Sequence, residues 1–406
     1  MIRLPTFVAA LLLATCLTSL ADNADRPHYT VRFGAELHSG SSIAHVRIRL
    51  THQAQWVRWM LLRTDGRYQN MRASGELEQR DGGWWWQPPE SQAWLSYDID
   101  LQSKRANGRY DGYRGDHWML FRLDDLVPQI RIDMEDGTRS YSTLELSLPD
   151  GWSSALPYPR YSSGRFKLDN PDTLFDRPSG WMIAGRNLGV RREHIAGTAF
   201  TIASPTGEGF RRMDVLSFLH RNMPTMRALL PDFPDRVLIV GANDPMWRGA
   251  LSGPDSLFLH SDRPLVSEDG TSTLIHELIH VGMQARGEPD ADWLVEGIAE
   301  FYALTLLERS GDLPAERVDR AFKSMAEHAD YREPLTAGRA HGRITQAAVT
   351  ELHRIDREIR QASAGRYSLD DVVRQLADDR QPISNERFET LTERFKTTAT
   401  TAAGGD

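Results

Sequence analysis

Residues 271–302, TSTLIHELIHVGMQARGEPDADWLVEGIAEFY, constrain this chain more than any other stretch. His276-Glu277-Leu278-Ile279-His280 predicts a helix, with Thr271 and Ser272 offering N-cap oxygens and Gly287 a stop. At 3.6 residues per turn, His276 and His280 stand one turn apart on the same face. Two imidazoles so placed can hold one divalent ion, and zinc takes nitrogen ligands in tetrahedral sites. Glu277, next to the first of them, is placed to accept a proton from a water in that ion's coordination sphere.

A third protein ligand is required. After a spacer of 15 residues (281 to 295) comes Glu296, within Trp293-Leu294-Val295-Glu296-Gly297-Ile298-Ala299-Glu300. This too predicts a helix, begun by Pro289-Asp290 and ended by Ser310-Gly311. Glu296 and Glu300 share a face at the i, i+4 spacing. The first can bind the metal, and the second can accept the free N–H of a ligand imidazole and fix its tautomer. Two histidines, one glutamate and an open position for water make a catalytic zinc site rather than a closed structural one. The bland alternative is an amphipathic helix with two satisfied core histidines and two surface carboxylates. The W-L-x-E-G-x-x-E run at ligand distance weighs against it.

HELIH followed by WLVEGIAEFY resembles the gluzincin zinc peptidases, nearest to the glycyl aminopeptidase family and the larger family of alanyl and leucyl aminopeptidases. The resemblance implies that His276, His280 and Glu296 are zinc ligands, that Glu277 is the general base, and that Glu300 supports a ligand. The spacer is a few residues shorter than in the larger family, implying a trimmed loop between the two helices. Two positions depart from the pattern. Gly249-Ala250-Leu251-Ser252-Gly253 falls where relatives carry a glutamate that anchors the substrate's free amine, and Ser252 stands in its place. A hydroxyl is a weak partner for an ammonium. The relatives' oxyanion-stabilising tyrosine corresponds to Arg339, with His341 beside it and Tyr331 upstream. Any of the three could donate to an oxyanion; all three could equally be solvated loop residues.

The chain has 406 residues, 40% hydrophobic and 26% charged, with a net charge of −8. That is an ordinary globular composition. Nothing in it offers the basic face that nucleic acid requires. Residues 1–21 read as an export signal: Arg3, an apolar run from Phe7 to Leu13, and Ser19-Leu20-Ala21 as a cleavage site. The apolar run is too short to span a bilayer. The single cysteine, Cys16, lies inside this signal, so the mature chain has no disulfide. Such a chain fits a bacterial periplasm or secretion. The alternative is lipidation of Cys16 within Leu13-Ala14-Thr15-Cys16, which would anchor the protein to a membrane.

Residues 28–205 read as an N-terminal β domain. Tyr29–Phe33, Ala44–Leu50, Trp94–Asp100 and Tyr141–Leu146 alternate as half-buried strands do, and Asp81-Gly82-Gly83 and Glu135-Asp136-Gly137 mark turns. Leu148–Trp152 and Phe175–Pro178 resemble the β domain that precedes the catalytic domain in these peptidases. Trp84-Trp85-Trp86 could form an exposed aromatic platform, but strand residues covering a sheet face are the favoured reading. Residues 206–396 read as the catalytic domain: a helix from Met213 toward Leu229, buried strands at Val237–Gly241 and Leu257–His260 flanking the cleft, and helices after Gly311. Residues 397–406 read as a disordered polar tail. The expected architecture is α+β, a β-sheet or sandwich domain followed by a thermolysin-like, mainly helical zinc peptidase domain. The expected function is zinc-dependent hydrolysis of peptides or proteins. The second reading is a zinc-bearing but catalytically weak protein that binds peptides or partners.

Overall fold

A computed structural model describes residues 28–402 apart from 53–55, 163, 171–172, 174 and 333. The expected export signal, Cys16 and the last four residues lie outside the described residues. The chain forms two compact units, the first from residues up to 102 with 123–150 and 158–179, the second from 103–122, 151–157 and 180 onward.

The first unit is built on a seven-stranded sheet. At its heart His28–Leu37 runs parallel to Arg139–Ser147 and antiparallel to Ile43–Thr51, which pairs in turn with Ala93–Asp100. The alternation read from the sequence is the alternation of burial: Val31, Phe33, Ala35, Val46, Ile48 and Leu50 point inward, while Arg32, Glu36, His45 and Arg49 point to solvent. A second, four-stranded sheet contains Gly83–Gln87. The three tryptophans there are strand residues: Trp86 is fully buried and donates its indole N–H to the Ser74 carbonyl, and Trp85 lies under the Arg80 guanidinium.

The second unit centres on a five-stranded sheet. Its strands are β1 (Leu188–Ile195), β2 (Thr198–Pro205), β3 (Arg236–Ala242), β4 (Ala250–Gly253) and β5 (Ser256–His260), in the order β1-β2-β3-β5-β4. Helix α1 (Arg212–Leu229) joins β2 to its parallel neighbour β3, and β4 is left as the edge strand, antiparallel to β5. One face of this sheet, through Leu238, Val240 and Phe258, meets Leu120, Trp181 and Ile183 of a second sheet. The other face, through Phe200, Ile202, Val237, Ile239 and Leu257, packs on helices.

These are α1, α2 (Thr273–Met283), α3 (Asp292–Arg309), α4 (Ala315–His328), α5 (Arg343–Ala362), α6 (Leu369–Asp378) and α7 (Asn385–Ala402). Helix α3 is apolar nearly all round and is the buried axis of the bundle. It meets α5 at Gly297, where an added Cβ would lie 2.9 Å from the Ala348 methyl, so only glycine allows this approach. Among the described residues no helix is long and apolar enough to cross a membrane.

Several boundaries differ from the sequence reading. The domain limit expected at residue 205 is displaced, because β1 and β2 share one sheet with β3 and β5, and 103–122 and 151–157 join the same unit. Helix α2 stops at a left-handed Gln284 rather than at Gly287, and α3 starts at Asp292 rather than at Pro289. The expected tail is helical as far as Ala402, as the last turns of α7.

Candidate metal centre

Helix α2 starts where the sequence offers a cap: the Ser272 hydroxyl accepts the N–H of Ile275 at 3.3 Å. Leu274, Ile275, Leu278 and Ile279 are buried in the core, which leaves His276 and His280 on the remaining face. Helix α3 presents Glu296 and Glu300 to that face. His276 Nε2 and His280 Nε2 lie 3.1 Å apart. Glu296 Oε2 is 3.4 Å from the first nitrogen and Glu296 Oε1 is 3.6 Å from the second. These three residues can each offer one ligand atom within 4.8 Å of the others.

The separations test the fit of a metal directly. With bonds of about 2.0–2.1 Å, tetrahedral zinc holds its ligand atoms about 3.3 Å apart. The nitrogen–nitrogen and nitrogen–oxygen distances here fall on either side of that value. The chemistry of the donor set agrees: two imidazoles and one carboxylate, with room for a fourth ligand, match a catalytic zinc site. On the far side of His276, Nδ1 lies 2.9 Å from Glu300 Oε2. That contact puts the Nδ1 proton on the carboxylate side and leaves Nε2 to act as the ligand.

Electrostatics favour a cation at this point. Burial works against protonation of His276, but hydrogen bonds to Glu296 and Glu300 overcome it and push its pKa up to about 10. Burial and then the neighbouring His276 hold His280 below the ordinary histidine range. Burial would raise the Glu296 carboxyl, yet the two histidines hold it below its usual value. Three carboxyl side chains, Glu277, Glu296 and Glu300, act on the two imidazoles, a set of groups suited to a dication.

Glu277 is 8% exposed. Its Oε2 accepts the backbone N–H of Ser252 at 2.7 Å, and no other hydrogen bond to it occurs among the described residues. Ser252 can make this contact because of its place in β4. His260 N–H donates to Gly249 O, which sets Gly249–His260 and Leu251–Phe258 as the hydrogen-bonded pairs of the hairpin. The N–H and C=O of Ser252 then point out of the sheet, the first to Glu277 and the second to Arg122 Nη1 at 3.1 Å. Sequence reasoning singled out Ser252 for its side chain; it is the backbone that touches the site. No local signal marks that contact, which comes from strand register.

The three candidate oxyanion donors are not gathered into the cluster. Tyr331 is 60% exposed, and Arg339 and His341 are exposed as well. Among the described residues none of them hydrogen-bonds to His276, Glu277, His280 or Glu296. Ala340, between the last two, donates its N–H to Asp292 Oδ2 at 2.8 Å. Asp292 is one helical turn ahead of Glu296, so this bond ties the loop bearing Arg339 and His341 to the α3 end nearer the site. Among the described residues Tyr331 has no such tie.

No family model matches the chain, and no curated protein matches it in sequence. In three dimensions it is similar to the crystal structure of an aminopeptidase N family protein from Idiomarina loihiensis, with a TM-score of 0.65 and 13% sequence identity, over 86% of this chain and 70% of that one. At that identity the likeness carries the fold: a sheet-rich N-terminal region and a helical C-terminal region in an aminopeptidase-N-like α+β arrangement.

Proposed function

We propose that the chain is a zinc-dependent peptide-bond hydrolase of the gluzincin type, with His276, His280 and Glu296 as ligands, Glu277 as general base and Glu300 orienting His276. The observation that carries this reading is that His276 Nε2 and His280 Nε2 lie 3.1 Å apart, with one Glu296 oxygen 3.4 Å from the first and the other Glu296 oxygen 3.6 Å from the second, close to the ligand-to-ligand spacing of about 3.3 Å around tetrahedral zinc. A zinc ion bound there lowers the pKa of a coordinated water toward neutrality and polarises a carbonyl. The chain's own residues do the rest. Glu277 Oε1, free of the bond that holds Oε2, takes the water proton and delivers it to the leaving amine. Of the candidate oxyanion donors, Arg339 and His341 are better placed than Tyr331, since the Ala340–Asp292 bond fixes their loop beside α3.

The substrate class follows from Ser252. With no carboxylate at the position where the resembling families bind a free amine, the site gains nothing from an N-terminal ammonium. Peptides blocked by N-acetylation should be cleaved about as well as free ones, within about threefold in kcat/KM, which corresponds to under 1 kcal/mol of discrimination. A preference of a hundredfold or more for the free amine would contradict this. Glu277→Gln is the test of the base: bound zinc should be retained and turnover should fall by about 10²–10⁴-fold. Retained turnover would remove Glu277 from the mechanism.

A second reading, zinc-bearing peptide binding without efficient cleavage, is favoured by one observation: among the described residues none of the three candidate oxyanion donors hydrogen-bonds to the cluster. Stoichiometric zinc with tight peptide binding and no cleavage of a mixed peptide library would select it. On localisation we propose an exported protein, periplasmic or secreted, or lipid-anchored if Cys16 is the processing site.

A further inference from the structure

The base proposed above needs its carboxylate aimed, and the element that aims it is an unusual one to rely on. Strand β4 is four residues long and forms the edge of its sheet. Edge strands are free to fray on their open side. Here the strand is held from the facing sheet as well as by β5. Trp181, fully buried, donates its indole N–H to the Leu251 carbonyl at 2.8 Å. That carbonyl belongs to the same peptide unit as the Ser252 N–H, which donates to Glu277 Oε2 at 2.7 Å.

We propose that Trp181 is a positioning residue for Glu277, acting through the 251–252 peptide unit. The proposal rests on the reading of Glu277 as the base. A donor on the carbonyl of an amide polarises its N–H, and hydrogen bonds chained in this way strengthen one another in a low-dielectric interior. The indole therefore both locates the peptide and sharpens its grip on the carboxylate. One carboxylate oxygen is held by main chain, and the other is left without that bond.

The surroundings of Trp181 are built to hold it. Its backbone N–H donates to Ser256 Oγ at 2.8 Å, and its ring packs on Phe258 at 5.4 Å between centroids. The guanidinium of Arg122 lies 5.4 Å from the ring and also donates to the Ser252 carbonyl, so the same two side chains clasp β4 at successive residues. Gly180 adopts φ +85°, and a Cβ there would sit 2.5 Å from the Pro254 carbonyl oxygen. This lets the strand bearing Trp181 come against the β4–β5 turn.

Two replacements test the proposal: Trp181→Phe, and site-specific replacement of Trp181 by benzothienylalanine, which keeps the bicyclic shape and exchanges the N–H for sulfur. Four quantities are read on the zinc-loaded full chain: kcat and KM on a peptide substrate, bound zinc, and residue-resolved hydrogen exchange at the Ser252 amide. The expected result is a fall in kcat of about tenfold with KM within about twofold, unchanged zinc and Ser252 exchange faster by about tenfold or more. The benzothienyl variant keeps the test sharp if phenylalanine leaves a damaging cavity. Unchanged kcat, unchanged Ser252 exchange, or a loss of kcat that merely tracks lost zinc would each overturn the proposal. A wild-type chain that hydrolyses no peptide, or a Glu277→Gln variant that still does, would instead overturn the reading beneath it.

Discussion

His276 shows how much of the site a few side chains define. Its Nε2 faces His280 and Glu296, and its Nδ1 faces Glu300. Glu300→Gln keeps an acceptor for Nδ1–H but removes the charge that raises the ring's basicity. Zinc affinity should drop about 10–100-fold with the fold intact. Competition titration against a chromophoric chelator measures it, and an unchanged affinity would mean that Glu300 plays no part at the ligand. At this scale the sequence was eloquent where helical period fixes geometry: i, i+4 spacing is enough to pair His276 with His280 and Glu296 with Glu300. It marked Ser252 only for its side chain and was silent on Trp181; their contacts with the site are made by a backbone amide and through a peptide unit. No pattern of side chains encodes these.

Among the elements, α3 carries the largest consequences. Gly297 sits next to Glu296 and lets α3 approach α5. Glycine to alanine gains about 1 kcal/mol of helix propensity, but overpacking a tight helix contact costs about 1–3 kcal/mol. A 2.9 Å approach to the Ala348 methyl leaves no flexible atom to yield, so the cost should win. Gly297→Ala should lower both thermal stability and zinc affinity, since α3 must shift with Glu296 on it. A more stable variant with normal zinc binding would show that the packing has slack.

Farther along α3, Arg309 makes a two-pronged contact to Asp370 of α6, and Tyr302 donates to the same carboxylate at 2.9 Å. Burial would raise the Asp370 carboxyl, but Arg309 and Tyr302 hold it below its usual value. A depressed carboxyl contributes its full stability above the unfolded value of about 3.9 and loses it as pH falls through the lower folded value. Asp370→Asn should cost about 2–3 kcal/mol at neutral pH. The gap from wild type should close in strong acid, as chemical denaturation at the two pH values would show. A gap independent of pH would assign the loss to packing. The capping box of Ser368 and Asp371 at the start of α6 is encoded locally, within four residues of sequence. The tertiary partner of Asp370 is not.

For the molecule as a whole, the order of β-rich then helical text was readable, and it is the observed order. The limit between units was not, because strand pairing joins distant segments: β2 lies beside β3 with a whole helix between them. The three proposed ligands all lie in one unit, half-buried between α2 and α3. A ligand that binds only the folded chain stabilises it by about 4 kcal/mol at a thousand times its dissociation constant. Chelation should therefore lower the unfolding temperature, and zinc should restore it. The claim on which the rest depends is that His276, His280 and Glu296 share one zinc ion. X-ray absorption at the zinc edge on the purified chain tests it. The account predicts one zinc per chain with two imidazole nitrogens at about 2.0–2.1 Å, oxygen in the remaining positions, and no such signal in His276→Ala. A chain that takes up no stoichiometric zinc, or holds it without imidazole, would contradict it.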